Sequence, residues 1–257
     1  MSIELYFGSS AKVWDDISWI YGIEEAGFAG WEICADGRYL FSKRGQYEEV
    51  VQTLATTSLK ATVHAPYNDL NPAAINDPIW KETLRQFTEC IRLSSEISNR
   101  VTLHPGYLSC TGKLVPEKVW QLQKQAMEEV GKVAEEYGVV ACLENMPNNP
   151  DYLCRYPEEI AGIIEGIEGV SMTIDFGHAN TIGIVDAYTR VINQASHIHI
   201  HDNHGRSDEH LPIGQGIIDW KKVFKGIIEN YNGVIVVEGR SIPDAKESLK
   251  EIRRWIS

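Results

Sequence analysis

Residues 116–145 read PEKVWQLQKQAMEEVGKVAEEYGVVACLEN, a long amphipathic stretch that runs directly into a short apolar one. Proline at position 116 is typical of the first turn of a helix, and glycine at position 138 is typical of the residue that follows the last turn. The pattern predicts a helix over Glu117–Tyr137 and then a strand over Val139–Glu144 that ends in a carboxylate.

The same alternation continues in both directions from this unit. Strand-like apolar runs occur at Ile3–Gly8, Gly30–Cys34, Lys60–His64, Val101–His104, Val139–Glu144, Ser171–Asp175, His197–His201 and Val234–Glu238. Stretches with helical periodicity separate them, so the strands must be joined by right-handed crossovers in a parallel sheet. Eight such units in about 250 residues match the size of a (β/α)8 barrel. We therefore predict an α/β protein in which residues 1–257 form a single TIM barrel domain, with its active site at the C-terminal ends of the strands.

An open, doubly wound sheet is the alternative architecture. Such a sheet normally carries a glycine-rich phosphate-binding turn after its first strand. Here the first predicted strand is followed by Ser9-Ser10-Ala11-Lys12, which contains no glycine. The closed barrel is therefore the preferred prediction.

The charge balance limits the classes of partner. The chain of 257 residues has 36 acidic and 24 basic side chains and a formal net charge of −12. This acidic balance makes sequence-independent binding to a nucleic-acid backbone less favourable, because such binding depends on lysine and arginine. Carboxylates that bind divalent cations count as negative in the same sum, so the balance is compatible with a metal-binding protein.

Cysteine usage and hydropathy bear on the compartment. The five cysteines are widely spaced and form no CxxC pair, which favours a reducing compartment over a disulfide framework or a thiolate zinc site. No run of about 18 apolar residues occurs, so we expect no membrane span. Residues 1–4 lead directly into a predicted strand, so we expect no secretory signal. The sequence predicts a cytoplasmic protein.

Histidines and carboxylates recur at the ends of six consecutive predicted strands. They are His64, His104, Glu144, Asp175, His178, His199, His201 and Glu238, and the loop after the seventh strand adds Asp208 and His210. Each of them alone is more simply explained as a hydrogen-bonding loop residue. Together they converge in a closed barrel, where unpaired carboxylates would repel one another and lose their hydration. Because a divalent cation removes that repulsion, the pattern predicts a metal site.

The predicted ligands offer nitrogen and carboxylate oxygen without sulfur, a combination that suits zinc, manganese, cobalt or magnesium. The histidine-rich part favours zinc, whereas Glu144, Asp175 and Glu238 favour manganese or magnesium. We expect one to three divalent ions per chain, with zinc or manganese preferred.

The seventh strand places three histidines on one face. His197, His199 and His201 have the same parity, and the isoleucines between them point to the other face. Same-face neighbours differ in height by about 6.6 Å, so only one of the three can lie at the level of the metal. We predict that His199 is this ligand, that His197 lies deeper, and that His201 lies at the rim near the substrate.

The strings HAPY from His64, HPGY from His104, LEN around Glu144 and VVEG around Glu238, in this order, resemble the xylose-isomerase-like TIM barrel superfamily. That superfamily includes sugar phosphate isomerases and epimerases, and also the endonuclease IV enzymes (AP endonuclease family 2). The resemblance extends over nearly the whole chain.

The two branches imply different metal sites. Resemblance to endonuclease IV implies three metals, held by His64, His104 and Glu144, by Glu144, Asp175, His199 and Glu238, and by His178, Asp208 and His210. Resemblance to the isomerases and epimerases implies the second set alone, with Glu144 and Glu238 also acting as bases on opposite faces of a sugar.

Departures from the endonuclease motifs favour the sugar enzymes. Endonuclease IV-like proteins follow HAPY with an apolar pair that enters DNA, whereas this chain has the polar Asn68 and Asp69, which are unsuited to a base stack. Conversely, DNHGRSDEHLPIGQGIIDW at residues 202–220 resembles a loop of the isomerase and epimerase branch.

The preferred hypothesis is therefore a divalent-metal-dependent sugar or sugar phosphate isomerase or epimerase. Glu144 and Glu238 would transfer the proton, the metal would stabilise an enediolate, and His178 would contact the reacting oxygens. Candidate substrate-binding residues are Tyr67, His201 and Arg206, with a small carbohydrate as the partner. The alternative is a three-metal phosphodiesterase that cleaves DNA at abasic sites, for which DNA is the partner. A non-catalytic binding barrel is the least favoured hypothesis.

Overall fold

Eight parallel strands close into a barrel in sequence order, with β1 hydrogen-bonded to β8. The computed structural model describes residues 3–256. The strands are β1 (Glu4–Gly8), β2 (Gly30–Cys34), β3 (Lys60–His64), β4 (Arg100–Leu103), β5 (Val140–Glu144), β6 (Val170–Asp175), β7 (Ala195–Ile200) and β8 (Val234–Glu238). Every predicted strand is present, with its ends within two residues of the prediction. The predicted (β/α)8 barrel is confirmed.

Helices follow the strands and surround the barrel. They are α1 (Tyr21–Ala26), α2 (Arg44–Leu54), α3 (Asp77–Ser94), α4 (Pro116–Tyr137), α5 (Pro157–Ile164), α6 (Phe176–Ile182), α7 (Val185–Thr189), α8 (Trp220–Asn230) and α9 (Ile242–Ile256). The helix α4 begins and ends as its sequence predicts. Proline occupies its first turn, and Gly138 ends it with a φ of 67°, a left-handed conformation that glycine adopts without strain.

Alternate residues of a strand face two different parts of the interior: the apolar layer between barrel and helices, and the inside of the barrel. On β7, Ile198 and Ile200 belong to the apolar core between the barrel and its helices. His197 and His199 alternate with them and point into the barrel, where both contact the buried Glu32 of β2. The barrel interior therefore contains ionisable groups, and their charge balance decides what can be held there.

Within the described residues, no helix combines the length and the apolar composition that crossing a membrane requires.

Candidate active site

A cavity of about 210 Å³ lies at the C-terminal ends of the strands. Its volume suits a small molecule, since pockets for drug-sized ligands usually exceed about 300 Å³. The predicted site residues that line it are His64, Tyr67, His104, Glu144, His178, Asp208, His210 and Glu238. Asp175, His199 and His201 are fully buried. The structure therefore brings the predicted ligands together in and beneath one cavity.

Three predicted ligands meet around a fourth, His199; we call Glu144, Asp175, His199 and Glu238 cluster A. The Nδ1 atom of His199 lies 3.1 Å from Oε1 of Glu144 and 3.4 Å from Oε1 of Glu238. Asp175 offers a carboxylate oxygen within 4.8 Å of ligand atoms of His199 and Glu238. Because β5 and β8 are three positions apart around the barrel, the two glutamates approach His199 from different sides.

Glu144 also belongs to a second group, cluster B, which it forms with His64 and His104. Its Oε2 atom lies 3.4 Å from Nε2 of His64 and 3.2 Å from Nε2 of His104, whereas its Oε1 atom faces His199. The two oxygens of one carboxylate thus face two different groups of nitrogen ligands.

A third group, cluster C, consists of His178, His201, Asp208 and His210. The carboxylate of Asp208 contacts all three histidines. Its oxygens lie 3.3 Å from Nε2 of His178, 3.2 Å from Nε2 of His201 and 3.1 Å from Nε2 of His210. His210 has a φ of 49°, which is uncommon for a residue with a side chain and costs of order 1 kcal/mol or more. The loop therefore adopts a strained backbone at the residue that supplies a cluster C nitrogen.

Hydrogen bonds outside the clusters orient the imidazoles. Nδ1 of His64 donates to the carbonyl of Ala65 at 2.9 Å, and Nδ1 of His178 donates to the carbonyl of Asn145 at 2.7 Å. Each bond places the proton on Nδ1 and leaves the lone pair of Nε2 facing its cluster. This is the usual arrangement of metal-binding histidines, which donate their other N–H to a carbonyl or a carboxylate.

The two glutamates of cluster A have opposite pKa shifts. Burial raises the pKa of Glu144, but His199, His104 and His64 more than offset burial and hold the pKa well below its usual value. Burial also raises the pKa of Glu238, and there the lowering by His199 and His210 does not offset it, so the pKa stays above the ordinary glutamate value. Paired carboxylates with diverging pKa values are typical of acid–base sites.

Several buried carboxylate oxygens of the clusters have no hydrogen-bond partner, and they indicate whether the site suits a metal cation. Among the described residues, Oε2 of Glu144, Oδ2 of Asp175 and Oδ1 of Asp208 are buried without a partner in hydrogen-bonding geometry. A buried carboxylate oxygen without a partner is unfavourable, and a bound divalent ion satisfies it. Each cluster has at least one of these atoms beside imidazole nitrogens, so the donor set fits zinc or manganese.

Glu32 supports cluster A from below. Its Oε1 atom lies 2.8 Å from Nε2 of His199, its Oε2 atom lies 2.8 Å from Nε2 of His197, and Thr62 donates to Oε2 at 2.9 Å. Burial raises the pKa of Glu32, but His199 and His197 lower it by more than burial raises it. The pKa is therefore below its ordinary value, and the carboxylate is ionised. Its contacts are therefore with His197, His199 and Thr62 in the barrel interior, and Glu32 also lines the cavity.

Three predicted substrate-binding residues lie in different surroundings. Tyr67 lines the cavity, and its ring stacks on His104 with centroids 4.4 Å apart. Arg206 is exposed and lies outside the residues that line the cavity. His201 was expected at the rim, but it is fully buried and outside the cavity lining. It follows directly after β7, and its Nε2 atom points to Asp175 and Asp208 instead of solvent.

Two residues that position the site were missed by sequence reasoning. The side chain of Asn145 accepts from the backbone N–H of Asp175 at 2.7 Å and donates to its carbonyl at 2.9 Å. The buried carboxylate of Asp202 accepts from the backbone of Gly214 at 2.9 Å and from the indole of Trp220 at 2.8 Å. The only signal for either was its place directly after a ligand-bearing strand.

The chain matches known proteins over nearly all of its length. The model of a family described as xylose isomerase-like TIM barrel matches residues 21–257. The uncharacterized protein MJ1311 of Methanocaldococcus jannaschii is 33% identical, over 97% of this chain and 89% of that protein. A crystal structure of a D-tagatose 3-epimerase-like protein is 30% identical with a TM-score of 0.91, and the match covers 98% of this chain and 96% of the other.

Endonuclease IV is a weaker relative: the probable endonuclease 4 of Mesomycoplasma hyopneumoniae is 27% identical, over 65% of this chain and 64% of that protein. The structure of endonuclease IV from Thermus thermophilus is 18% identical with a TM-score of 0.68, over 98% of both chains. Similar folds also include D-psicose 3-epimerase from Clostridium cellulolyticum, and an IolI protein whose structure contains a zinc atom. All three of these structures are 18% identical to the chain and show the fold alone.

Proposed function

Because the chain belongs to the xylose isomerase-like TIM barrel family, we propose that it is a divalent-metal-dependent enzyme that epimerises or isomerises a small sugar. The observation that carries the proposal is the approach of Glu144 and Glu238, from different strands, to one nitrogen of His199 at 3.1 and 3.4 Å. Two carboxylates that reach one cavity from different strands can exchange protons with different faces of one substrate.

Cluster A would hold the ion. Its three carboxylates and one imidazole supply four ligands, which would leave an octahedral ion such as manganese two further positions for substrate oxygens. When bound, a divalent ion would supply Lewis-acid polarisation of a substrate carbonyl. The four residues would also bring the two glutamates to a fixed separation across the cavity.

The glutamates would move the proton. Glu144 is ionised in the protein alone, because three histidines lower its pKa more than burial raises it, and an ionised carboxylate is the form that accepts a proton from carbon. Glu238, with its raised pKa, suits the donor of a proton to the other face. Removal on one face and return on the other inverts the carbon, so this arrangement favours epimerisation.

The cavity suits a carbohydrate. It has a volume of about 210 Å³ and imidazole and carboxylate groups in its wall, with the ring of Tyr67 beside them. The similarity to a D-tagatose 3-epimerase-like protein supports a ketose as the substrate class. His178 would contribute Nε2, the ring nitrogen that its bond to Asn145 leaves free.

The test is proton exchange at carbon. Ketopentoses, ketohexoses and their phosphates are incubated in D2O with the manganese- or zinc-loaded protein, and NMR follows the epimer and its deuterium content. We expect one sugar class to give the epimer with deuterium at the inverted carbon, and Glu144→Gln and Glu238→Gln to abolish this. Glu229→Gln, an exposed change on α8, is the matched control. If no sugar exchanges a proton, the proposal is wrong.

Clusters B and C favour a second candidate function, metal-dependent cleavage of DNA at abasic sites. All nine ligands implied by the endonuclease resemblance converge in or beneath the cavity. Against it stand the net charge of −12 and the exposed, polar Asn68 and Asp69 at the loop tip. A fluorescent duplex with one abasic site tests it. Cleavage that His64→Ala abolishes would replace the first proposal with this one.

A further inference from the structure

Two tyrosines, Tyr67 and Tyr152, line the cavity. The ring of Tyr67 is stacked on His104, with centroids 4.4 Å apart. Tyr152 lies in the loop between β5 and α5 and is partly buried. Among residues 3–256 its ring contacts no other aromatic ring, and its hydroxyl makes no hydrogen bond. Tyr152 therefore has an aromatic ring in the cavity wall that no contact within the fold requires.

The backbone around Tyr152 is held by a short antiparallel pairing with the loop after β4. Tyr152 forms a bridge with Tyr107. The N–H of Leu108 donates to the carbonyl of Asp151 at 2.7 Å, and the N–H of Leu153 donates to the carbonyl of Gly106 at 3.0 Å. Leu153 belongs to the apolar core, so the preceding residue in this extended segment points to the opposite side. The pairing thus directs Tyr152 to the cavity.

The chain reverses direction immediately after this pairing. Cys154 is fully buried and has a φ of 57°, a left-handed conformation that is uncommon and costly for a residue with a side chain. Its carbonyl accepts from the N–H of Met146 at 3.1 Å, which ties the end of the segment back to the residues that follow Glu144. The segment that carries Tyr152 is therefore fixed on both sides, to a neighbouring loop and to the end of β5.

The residues beside Tyr152 in the cavity wall are apolar. Met146 is 4% exposed, and both Met146 and Pro147 line the cavity together with Tyr152. We call these three residues the apolar wall. The rest of the cavity carries the imidazoles and carboxylates of the clusters, so the apolar wall suits the C–H groups of a ligand and the clusters suit its oxygens.

We propose that Tyr152 is a specificity-determining residue, whose ring packs against C–H groups of the sugar while the sugar oxygens face the clusters. The inference rests on the proposed function, because it requires a carbohydrate in this cavity. Sugars present C–H groups as well as hydroxyls, and packing of C–H groups on an aromatic ring adds dispersion contacts and excludes water. A rigidly held ring then decides which carbon of the sugar comes within reach of Glu144 and Glu238.

Equilibrium binding tests the proposal apart from catalysis. Manganese-loaded protein is titrated with the free ketopentoses and ketohexoses by isothermal titration calorimetry. Tyr152→Ala should bind the tightest of these sugars about 3- to 10-fold more weakly, as expected for the loss of one aromatic contact. In the proton-exchange assay it should raise KM more than it lowers kcat, because the contact is made before and during the reaction. Tyr152→Phe keeps the ring and should bind as the wild type does.

Tyr107→Ala is the matched control. It removes the same side chain from the other member of the same backbone bridge, where the tyrosine is exposed and does not line the cavity, so sugar affinity should not change. Should Tyr152→Ala fail to fold, Tyr152→Leu removes the ring and keeps an apolar side chain.

Wild-type affinity in Tyr152→Ala would overturn the inference. Equal losses in Tyr152→Ala and Tyr107→Ala would overturn it as well, because the effect would then come from the loop backbone. A loss in Tyr152→Phe as large as in Tyr152→Ala would assign the effect to the hydroxyl and reject the ring contact. If a sugar binds but exchanges no proton, the proposed function fails and the binding data still decide the role of Tyr152. If no free sugar binds the wild type, both are wrong.

Discussion

Glu32 and His199 are joined at 2.8 Å between Oε1 and Nε2, deep in the barrel. This close approach sets the orientation of the ring, with Nε2 directed to Glu32 and Nδ1 directed to Glu144 and Glu238. A carboxylate behind a metal-binding histidine also makes that imidazole a more basic ligand. Glu32 is therefore a positioning residue for cluster A.

Glu32→Gln should weaken metal binding by cluster A without removing a ligand. The neutral amide keeps only one of the two carboxylate oxygens that now face His197 and His199 and loses the negative charge beside both rings, so the orientation of His199 loosens. We expect the affinity of cluster A for manganese or zinc to fall about 10- to 100-fold, measured by competition with a chelating dye. Glu229→Gln should bind as the wild type does. Unchanged affinity in Glu32→Gln would show that the contact is only structural.

Gly177→Ala should destabilise the protein, because the new methyl group overlaps the ring of His201. Overpacking of this kind costs about 1–3 kcal/mol of unfolding free energy, which urea denaturation measures. The matched control is Gly162→Ala on α5, where a Cβ would meet nothing within 4 Å in the described part of the chain. That change should leave the protein equally stable or add up to about 1 kcal/mol. Equal effects at the two positions would contradict the overlap.

Asp202→Asn should loosen the loop between β7 and α8. The variant places an amide N–H₂ group among donors that now bond to a carboxylate, including Gly214 and Trp220, so buried N–H groups lose acceptors. We expect a loss of about 2–4 kcal/mol in unfolding free energy. Asp186→Asn breaks only the exposed pair with Lys222 and should cost less than about 1 kcal/mol. A larger loss at Asp186 than at Asp202 would refute this account.

Removal of metal should make stability depend on alkaline pH. Burial lowers the pKa of His201, but Asp175 and Asp208 raise it to about 9, against about 6.5 for histidine in an unfolded chain. A raised folded-state pKa stabilises the protein fully below pH 6.5, and this contribution is lost as pH rises through 9. Chelated protein should therefore unfold more easily at pH 8.5 than at pH 6.5. Metal-loaded protein should show a smaller change in this window, because bound metal keeps its histidines neutral. Thermal melts at the two pH values, with and without chelator, measure both slopes.

The architecture and the convergence of ligands were predictable because strand ends carry a local signal. The parity of the isoleucines on β7 correctly predicts that His197 and His199 face the barrel interior. The position of His201 was not predictable in the same way. It depends on Gly177 of the neighbouring βα unit, whose missing side chain makes room for the ring.

Contacts between side chains on opposite parts of the barrel could not be predicted from the sequence. Glu32 and His197 are 165 residues apart, and only closure of the barrel brings them together. The exposed placement of Arg206 likewise depends on how the long loop folds back on Asp202, since the loop has no periodicity that would fix its course.

The shared carboxylate of Glu144 has a thermodynamic consequence. Its Oε1 atom faces cluster A and its Oε2 atom faces cluster B, so neither cluster can bind a cation without drawing on the same negative charge. Occupancy of the two is linked, and linkage is reciprocal: whatever factor one ion imposes on the affinity of the other is imposed equally in return. When metal is titrated into this protein, the binding curve should therefore be fitted with two interacting sites. The difference between the affinities of the first and second ions then measures the effect of sharing Glu144.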